Sequence, residues 1–257
     1  MPLAFLSDDW FGRALSRLSE LDGIAGLPDV CVQFSTPDGR HQWVEEVSGG
    51  RITGLRAGTA PDPDLEVQVP AGTLWGVLRG TLDGTEAHGS ILVIDPTAPG
   101  EPHAPSPMDL GLGGGLEHLL AVPGASLAVQ YGYSRGPFGY VTFSLSFEDG
   151  GVAAMTLGPV EDPDVTATCT YLQMAQVRRG DLGILDVLIA GGTITGSEGP
   201  LAMLGGISES PEFRAVEAAC GRSGYVLGVL GEVHHGVGVA EAIGALMAET
   251  DPPPTDL

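Results

Sequence analysis

The sequence of 257 residues contains no lysine and no asparagine, and arginine supplies all 11 of its basic residues. The absence of lysine excludes Schiff-base chemistry, Ser–Lys catalytic pairs and the lysine of phosphate-binding loops. The absence of asparagine excludes N-glycosylation sequons. Both missing amino acids have AT-rich codons, so we infer a bacterial genome of high G+C content.

Positive charge is also scarce, because 33 acidic residues give a formal net charge of -22. Such a field repels phosphate backbones and anionic lipid headgroups, so we expect no nucleic-acid partner and no charge-driven attachment to membranes. With 43% hydrophobic and 17% charged residues, the composition is neither disordered nor membrane-like. It is typical of an acidic globular protein.

Cysteine and long apolar runs are rare as well. The cysteines Cys31, Cys169 and Cys220 are widely spaced and form no Cys-x-x-Cys pair, which favours a reducing compartment over a disulfide framework. The first residues lack a basic segment, and no stretch of about 18 uncharged apolar residues is present. We therefore expect no signal peptide, no stable membrane insertion and a cytoplasmic location.

What the sequence does contain is an internal repeat. Asp62-Pro63-Asp64 recurs as Asp162-Pro163-Asp164, and Arg79-Gly80 recurs as Arg179-Gly180, both at an offset of 100 residues. Each pair of landmarks encloses an alternating segment followed by apolar residues at helical spacing, which predicts a strand and then a helix. The match extends upstream to residues 30–34 and 127–131, and downstream to residues 89–92 and 192–195.

Helix signals flank the repeats. Ser7 precedes two aspartates and an apolar face, which predicts an N-capped helix. The corresponding segment of the second copy, Ser106–Leu120, contains four glycines and predicts a weakened helix or a linker, and the proline-rich residues 95–107 predict a domain boundary. Near the end, Ser210-Pro211 predicts a helix that ends at Gly221; a short apolar run and another amphipathic helix follow it.

These features together resemble the sterol carrier protein type 2 family of small lipid-binding domains. The resemblance depends on the leading helix, the strand around Val32, the Gly49-Gly50 turn, Asp62-Pro63-Asp64 and the helix that ends at Arg79-Gly80. It covers about residues 3 to 95 and, in the second copy, 107 to 205. The ordered set, present twice, is what makes the resemblance specific.

The resemblance implies an α+β fold in which a five-stranded, mostly antiparallel sheet is covered by helices, with an apolar tunnel between them. We therefore expect one sterol-carrier-like repeat at 1–98 and a second at 99–206. Residues 207–257 have no counterpart in the family and are expected to form a C-terminal helical extension with a tail.

Candidate ligand contacts follow from the apolar helices of the two copies. We expect a cavity lined by apolar side chains of both repeats: Leu74, Trp75, Leu78, Leu82, Leu172, Met174, Val177, Leu185, Leu188 and Ile189. Glycines interleaved among the leucines of residues 182–206 remove side-chain volume, which leaves room for a ligand or lets backbones approach closely.

No combination of residues predicts catalysis. The adjacent pair His234-His235 indicates an exposed loop, and Glu45-Glu46 indicates solvated or helix-capping charges. The paired aspartates around Pro63 indicate rigid turns rather than a Ca²⁺ site. Arg178 and Arg179 favour interaction with a helix C-terminus, although an arginine at a tunnel mouth could also meet a ligand carboxylate. We expect no catalytic residues, no metal and no cofactor.

Three functions remain open. The first is non-catalytic binding or transfer of a hydrophobic small molecule, such as a sterol, a fatty acyl chain or a polyketide- or terpenoid-like compound. The second is an enzyme of the cyclase or isomerase type that acts on a hydrophobic biosynthetic intermediate. The third is an accessory subunit that docks a partner enzyme, and a homodimer is a further possibility.

Overall fold

The computed structural model describes residues 2–94, 96, 126–148, 151–208 and 211–253, without the side chains of 151–155, 206–208 and 211–220. The predicted linker and the predicted lead helix of the second copy lie outside the described residues. The chain groups into two compact units, Met1–Ala104 with Val229–Leu257, and Pro105–Gly228. The segment predicted as an extension, 207–257, is thus divided between the two units.

The helices and strands alternate through the chain. Residues 2–94 form β1 Leu3–Ala4, α1 Asp8–Leu18, β2 Val30–Ser35, β3 Gln42–Ser48, β4 Arg51–Ala57, β5 Leu65–Gln68, α2 Ala71–Leu78, α3 Gly84–His88 and β6 Leu92–Ile94. Residues 126–208 form β7 Leu127–Gly136, β8 Gly139–Glu148, β9 Gly151–Leu157, β10 Val165–Thr170, α4 Tyr171–Arg179, α5 Ile184–Ile189, β11 Thr193–Gly196 and α6 Glu198–Ser208. The remainder forms α7 Pro211–His234, α8 Val239–Ala248 and β12 Thr250–Asp251.

Each unit contains a mixed five-stranded sheet, and the two sheets share one topology. Their strand orders are β4-β3-β2-β5-β6 and β9-β8-β7-β10-β11. In each sheet the middle strand, β2 or β7, pairs in parallel with β5 or β10, and the other pairs are antiparallel. A register shift also recurs 100 residues apart, at Glu46/Val47 and at Ser146/Phe147. The fold is therefore α+β, as predicted, with largely antiparallel sheets.

Helix α1 begins and packs as its sequence predicts. The Ser7 hydroxyl accepts the Trp10 amide N–H at 3.2 Å, which satisfies one of the free donors of the first turn. Trp10, Phe11, Ala14 and Leu18 are buried. The Phe11 ring lies 6.1 Å from that of Trp43 on β3, so the apolar face of the helix completes the core of the first unit.

The two Asp-Pro-Asp segments are structural turns. Asp64 Oδ2 accepts the Cys31 amide N–H at 2.7 Å, and Asp164 Oδ2 accepts the Ala128 N–H at 2.8 Å. Each carboxylate thereby fixes the start of one parallel strand against its neighbour. Asp162 has a φ of 50°, a left-handed conformation that aspartate tolerates better than most residues. These bonds support the prediction of rigid turns.

Helix α7 continues past Gly221, where the sequence predicts its end. A Cβ at Gly221 would lie 2.8 Å from Arg179 Cγ, and a Cβ at Gly228 would lie 2.8 Å from Leu172 Cα. Both glycines therefore permit close packing within the second unit instead of capping a helix. In the described part of the chain no single helix has the length and apolarity to cross a bilayer; only 221–234 and 239–248 together do, and they are bent by 77°.

Candidate functional site

The predicted ligand contacts of the first unit lie on α2 and directly after it. Leu74, Trp75 and Leu78 are half-buried, although α2 is strongly apolar. Leu82 is also half-buried, and its Cβ would lie 2.9 Å from a Cβ at Gly76, so the chain folds back on α2. The structure therefore brings these residues together on α2 and the segment that follows it, where their large apolar side chains are incompletely covered.

In the second unit the predicted contacts divide between two helices. On α4, Leu172 is buried, whereas Met174 and Val177 are half-buried. On α5, Leu185 is 70% exposed, Leu188 37% and Ile189 86%. The α5 side chains thus lie at the surface of the second unit, and the prediction that they line an enclosed cavity stays a prediction.

The corresponding helix of the first unit shows that the fold does not require this exposure. Helix α3 has the sequence Gly-Thr-Glu-Ala-His, whereas α5 has Ile-Leu-Asp-Val-Leu-Ile. Ala87 and Val187, 100 residues apart, are both buried. The remaining apolar side chains of α5, which we call the α5 apolar face, are between 37% and 86% exposed: Ile184, Leu185, Leu188 and Ile189.

The first unit also contains a small cleft between α1, β4 and the chain around α8. Its apolar walls include Leu18, Ile24, Ile52, Val233 and Val239. The cleft has room for roughly one water molecule, which is too little for an acyl chain. Sequence reasoning missed it because its walls come from segments about 200 residues apart.

An acid–imidazole pair also lies in the first unit. His234 Nε2 is 2.7 Å from Glu45 Oε1, with the Glu45 side chain buried and the His234 ring half-buried. The predictions of a solvated Glu45 and of an exposed His234 are therefore wrong, whereas His235 is exposed as expected. Helix α7 extends to His234 and carries its ring to the sheet, whereas a helix ending at Gly221 would leave both histidines in a loop.

The adjacent arginines at the end of α4 have different surroundings. The Arg179 guanidinium contacts Asp181 at 3.1 Å and lies 3.9 Å from the Tyr225 ring centroid. Arg178, in contrast, is only 6% exposed, and its Nη2 donates a hydrogen bond to Tyr133 Oη at 3.2 Å. Arg179 is thus a surface cation near a helix C-terminus, as predicted for both residues, whereas Arg178 belongs to the interior of the second unit.

The described cysteines are poor nucleophiles. Burial raises the pKa of Cys169 to about 11, although the nearby Arg178 guanidinium lowers it in part. Burial, with the charges of Glu46 and Asp64, also raises the pKa of Cys31. Since the thiolate is the reactive form, both side chains act as small apolar residues. Among the residues that the structure describes, no three His, Cys, Asp or Glu side chains form a metal-binding group.

Comparison with known proteins gives partial structural similarity. No family model matches the sequence, and no curated protein matches it. Among solved structures, a sec-alkylsulfatase from Pseudomonas sp. aligns at 17% identity over 37% of this chain, with a TM-score of 0.31. The aligned part is only 15% of the sulfatase chain.

Sterol carrier proteins are also among the similar structures. The crystal structure of sterol carrier protein 2 aligns at 16% identity over 43% of this chain and 88% of its own, with a TM-score of 0.32. A possible sterol carrier protein from Thermus thermophilus covers 44% of this chain and 81% of its own, at 14% identity and a TM-score of 0.33. The palmitated SCP2L2 of Aedes aegypti aligns over 34% of this chain and 76% of its own, at 18% identity and a TM-score of 0.28.

Proposed function

We propose that this protein binds a hydrophobic small molecule, of the sterol, fatty acyl or polyketide- or terpenoid-like class, through two sterol-carrier-like units. The observation that carries the proposal is the α5 apolar face, which is exposed, whereas the corresponding positions of the first unit have no large apolar side chain: they are Gly84, Thr85, His88 and Gly89. Covering apolar surface is favourable by about 25 cal/mol per Å². A ligand or a partner that covers this face would therefore be bound with a favourable free energy.

The second unit is the better candidate for the ligand site. Helices α4 and α5 together offer half-buried and exposed apolar side chains, whereas α3 offers none of comparable size. The half-buried α2 side chains, Leu74, Trp75 and Leu78, support a weaker site in the first unit. We therefore expect binding to be dominated by the second unit.

The direct test is saturable binding to the delipidated full-length protein. A panel of cholesterol, palmitic acid and palmitoyl-CoA should include at least one ligand that saturates at a fixed stoichiometry. Replacing Leu185 with Gln should lower the affinity for that ligand about 10-fold, because it removes one apolar contact of about 1.5 kcal/mol. Thr85→Gln, at the corresponding place in α3, is the matched control and should leave affinity unchanged. If no ligand saturates, the proposal is refuted.

A second candidate function is an enzyme that acts on a hydrophobic biosynthetic intermediate. It is favoured by the buried Glu45 carboxylate at 2.7 Å from His234, an arrangement that can move a proton. The test is incubation of the compound that co-purifies with the protein, followed by mass spectrometry. Conversion by the wild type and not by Glu45→Gln would support the enzyme, and recovery of unchanged compound from both would refute it.

The third candidate, an accessory subunit or a homodimer, depends on what covers the α5 apolar face. Native mass spectrometry of the freshly purified protein measures the mass of the assembly directly. A stoichiometric second chain that is lost in Leu185→Gln would favour docking over ligand binding. A single chain carrying a small molecule would favour the carrier.

A further inference from the structure

Arg178 is a buried cation that forms no ion pair with any residue that the structure describes. Its side chain is 6% exposed, and its Nε is buried without a hydrogen-bond partner. Its one hydrogen bond runs from Nη2 to the Tyr133 hydroxyl, and no carboxylate within the described part of the chain lies within 4.0 Å of it. A buried charge that lacks a counter-charge is costly, so this position is set up for an anion from outside the chain.

The lack of a partner is not explained by the composition. The chain has 33 acidic residues and 11 arginines, so three carboxylates are present for every guanidinium. The neighbouring Arg179 has taken one of them, Asp181, at 3.1 Å. A cation that has no acidic partner among the described residues of so acidic a chain keeps, at Nε, a donor that an anion from another molecule would satisfy.

The fold does not need the cation either. The corresponding helix of the first unit has Leu78 where α4 has Arg178, and the two sheets have the same topology. In contrast, the next position is arginine in both units, Arg79 and Arg179. Arg178 is therefore specific to the second unit, and so is the α5 apolar face.

The surroundings of Arg178 select the kind of anion. The guanidinium carbon lies 5.8 Å from the centroid of the buried Tyr133 ring, and the rings of Tyr131, Phe143 and Tyr171 are among the neighbours of Tyr133. Two apolar side chains of the same helix, Met174 and Val177, are half-buried. They precede Arg178 by four residues and by one residue. A planar carboxylate on an apolar body satisfies both the guanidinium fork and the surrounding carbon surface.

We propose that Arg178, assisted by the Tyr133 hydroxyl, is the anchor for the carboxylate of a long-chain carboxylic acid bound by the second unit. The inference rests on the proposed function, since the alkyl chain needs an apolar site. It specifies the substrate class: an acid is preferred over the alcohol or ester of the same length. Arg178 Nε and Nη would donate to the two carboxylate oxygens, and the Tyr133 hydroxyl would continue to accept the hydrogen bond from Nη2.

The test compares palmitic acid with 1-hexadecanol on the delipidated full-length protein, below the concentration at which either aggregates. The wild type should bind the acid about 10- to 100-fold more tightly than the alcohol, the range expected for a charge-assisted hydrogen-bonded contact. Arg178→Leu places the residue of the first unit at this position and should remove the preference, because it weakens the binding of the acid and not that of the alcohol. Arg179→Gln is the matched control and should keep the preference, and Arg178→Lys should keep part of it.

The outcomes separate the two proposals. Equal affinity of the wild type for acid and alcohol would overturn the role of Arg178 and leave hydrophobic-ligand binding intact. Saturable binding of neither compound would also overturn the role of Arg178, and the panel that includes cholesterol would then decide the proposed function. The wild-type comparison needs no variant, so it decides the question even if a substitution prevents folding. A tyrosine resonance that shifts with palmitic acid and is missing in Tyr133→Phe would assign the headgroup to this position.

Discussion

Protonation of His88 should destabilise the first unit in mild acid. His88 is the last residue of α3 and is 1% exposed, and burial lowers its pKa from 6.5 to about 4. The folded state therefore keeps the ring neutral, whereas the unfolded chain protonates it below pH 6.5. The stabilisation is complete above pH 6.5 and is lost as the pH falls towards 4. At 1.36 kcal/mol per pKa unit, the total is about 3 kcal/mol, of which about 2 kcal/mol is lost by pH 5.

The assay uses the natural separation of the fluorophores. All three tryptophans, Trp10, Trp43 and Trp75, lie in the first unit, and all five tyrosines lie in the second. Urea unfolding followed by tryptophan emission at pH 7 and pH 5 measures how much of the first unit's free energy of unfolding is lost in acid. His88→Gln should reduce that loss by about 2 kcal/mol, because the substitution removes only this imidazole and keeps every other ionisable side chain.

A control and a refuting result complete this test. His235, exposed at the end of α7, provides the control variant His235→Gln, which should keep the acid-dependent loss of the wild type. If wild type and His88→Gln lose the same free energy of unfolding between pH 7 and pH 5, the reasoning from burial is wrong. An NMR titration that places the His88 pKa near 6.5 would have the same meaning.

Two further substitutions, each with a matched control, test the helix packing and the Asp-Pro-Asp turn. Gly228→Ala places a Cβ 2.8 Å from backbone of α4 and should lower the free energy of unfolding by about 1–3 kcal/mol, measured by urea titration with tyrosine emission. Gly205→Ala, with no atom within 4 Å, should be neutral or stabilising, and equal effects would contradict the contact. Asp64→Ala removes the acceptor of the Cys31 amide N–H and should cost about 1 kcal/mol by tryptophan emission. Asp62→Ala in the same turn should cost less, and an equal loss would refute the assignment.

The features that the sequence predicted correctly are those with local causes. The start of α1 follows from Ser7 and the apolar period after it, and the end of α4 follows from Gly180, which adopts a φ of 76°. The repeated Asp-Pro-Asp and Arg-Gly landmarks fall at corresponding places in two sheets of the same strand order, since the same local order of strand, helix and turn leads to one sheet topology. A local pattern contains enough information to fix elements of this kind.

The residues that the sequence left unassigned depend on contacts between distant segments. Glu45 and His234 are 189 residues apart, and no period or motif links them. Glycine commonly follows the last residue of a helix, yet Gly221 lies inside α7. Its lack of a side chain allows Arg179 to pack closely against the helix. Arg178 and Arg179 are equivalent in sequence, but successive residues of a helix project about 100° apart, so one faces inward and the other outward.

The two units share a fold but distribute polarity in opposite ways at two places, and this contrast gives a last prediction. The second unit has a buried Arg178 where the first has Leu78, and an exposed Leu185 where the first has Thr85. Both exchanges are unfavourable for stability, so a binding function is a reason to keep them. Arg178→Leu combined with Leu185→Thr should therefore leave unchanged, or raise by up to about 4 kcal/mol, the free energy of unfolding measured by tyrosine emission. The same double variant should bind palmitic acid more weakly than wild type. A variant that loses several kcal/mol and keeps full affinity would show that both residues stabilise the fold, and it would remove the argument for a ligand site in the second unit.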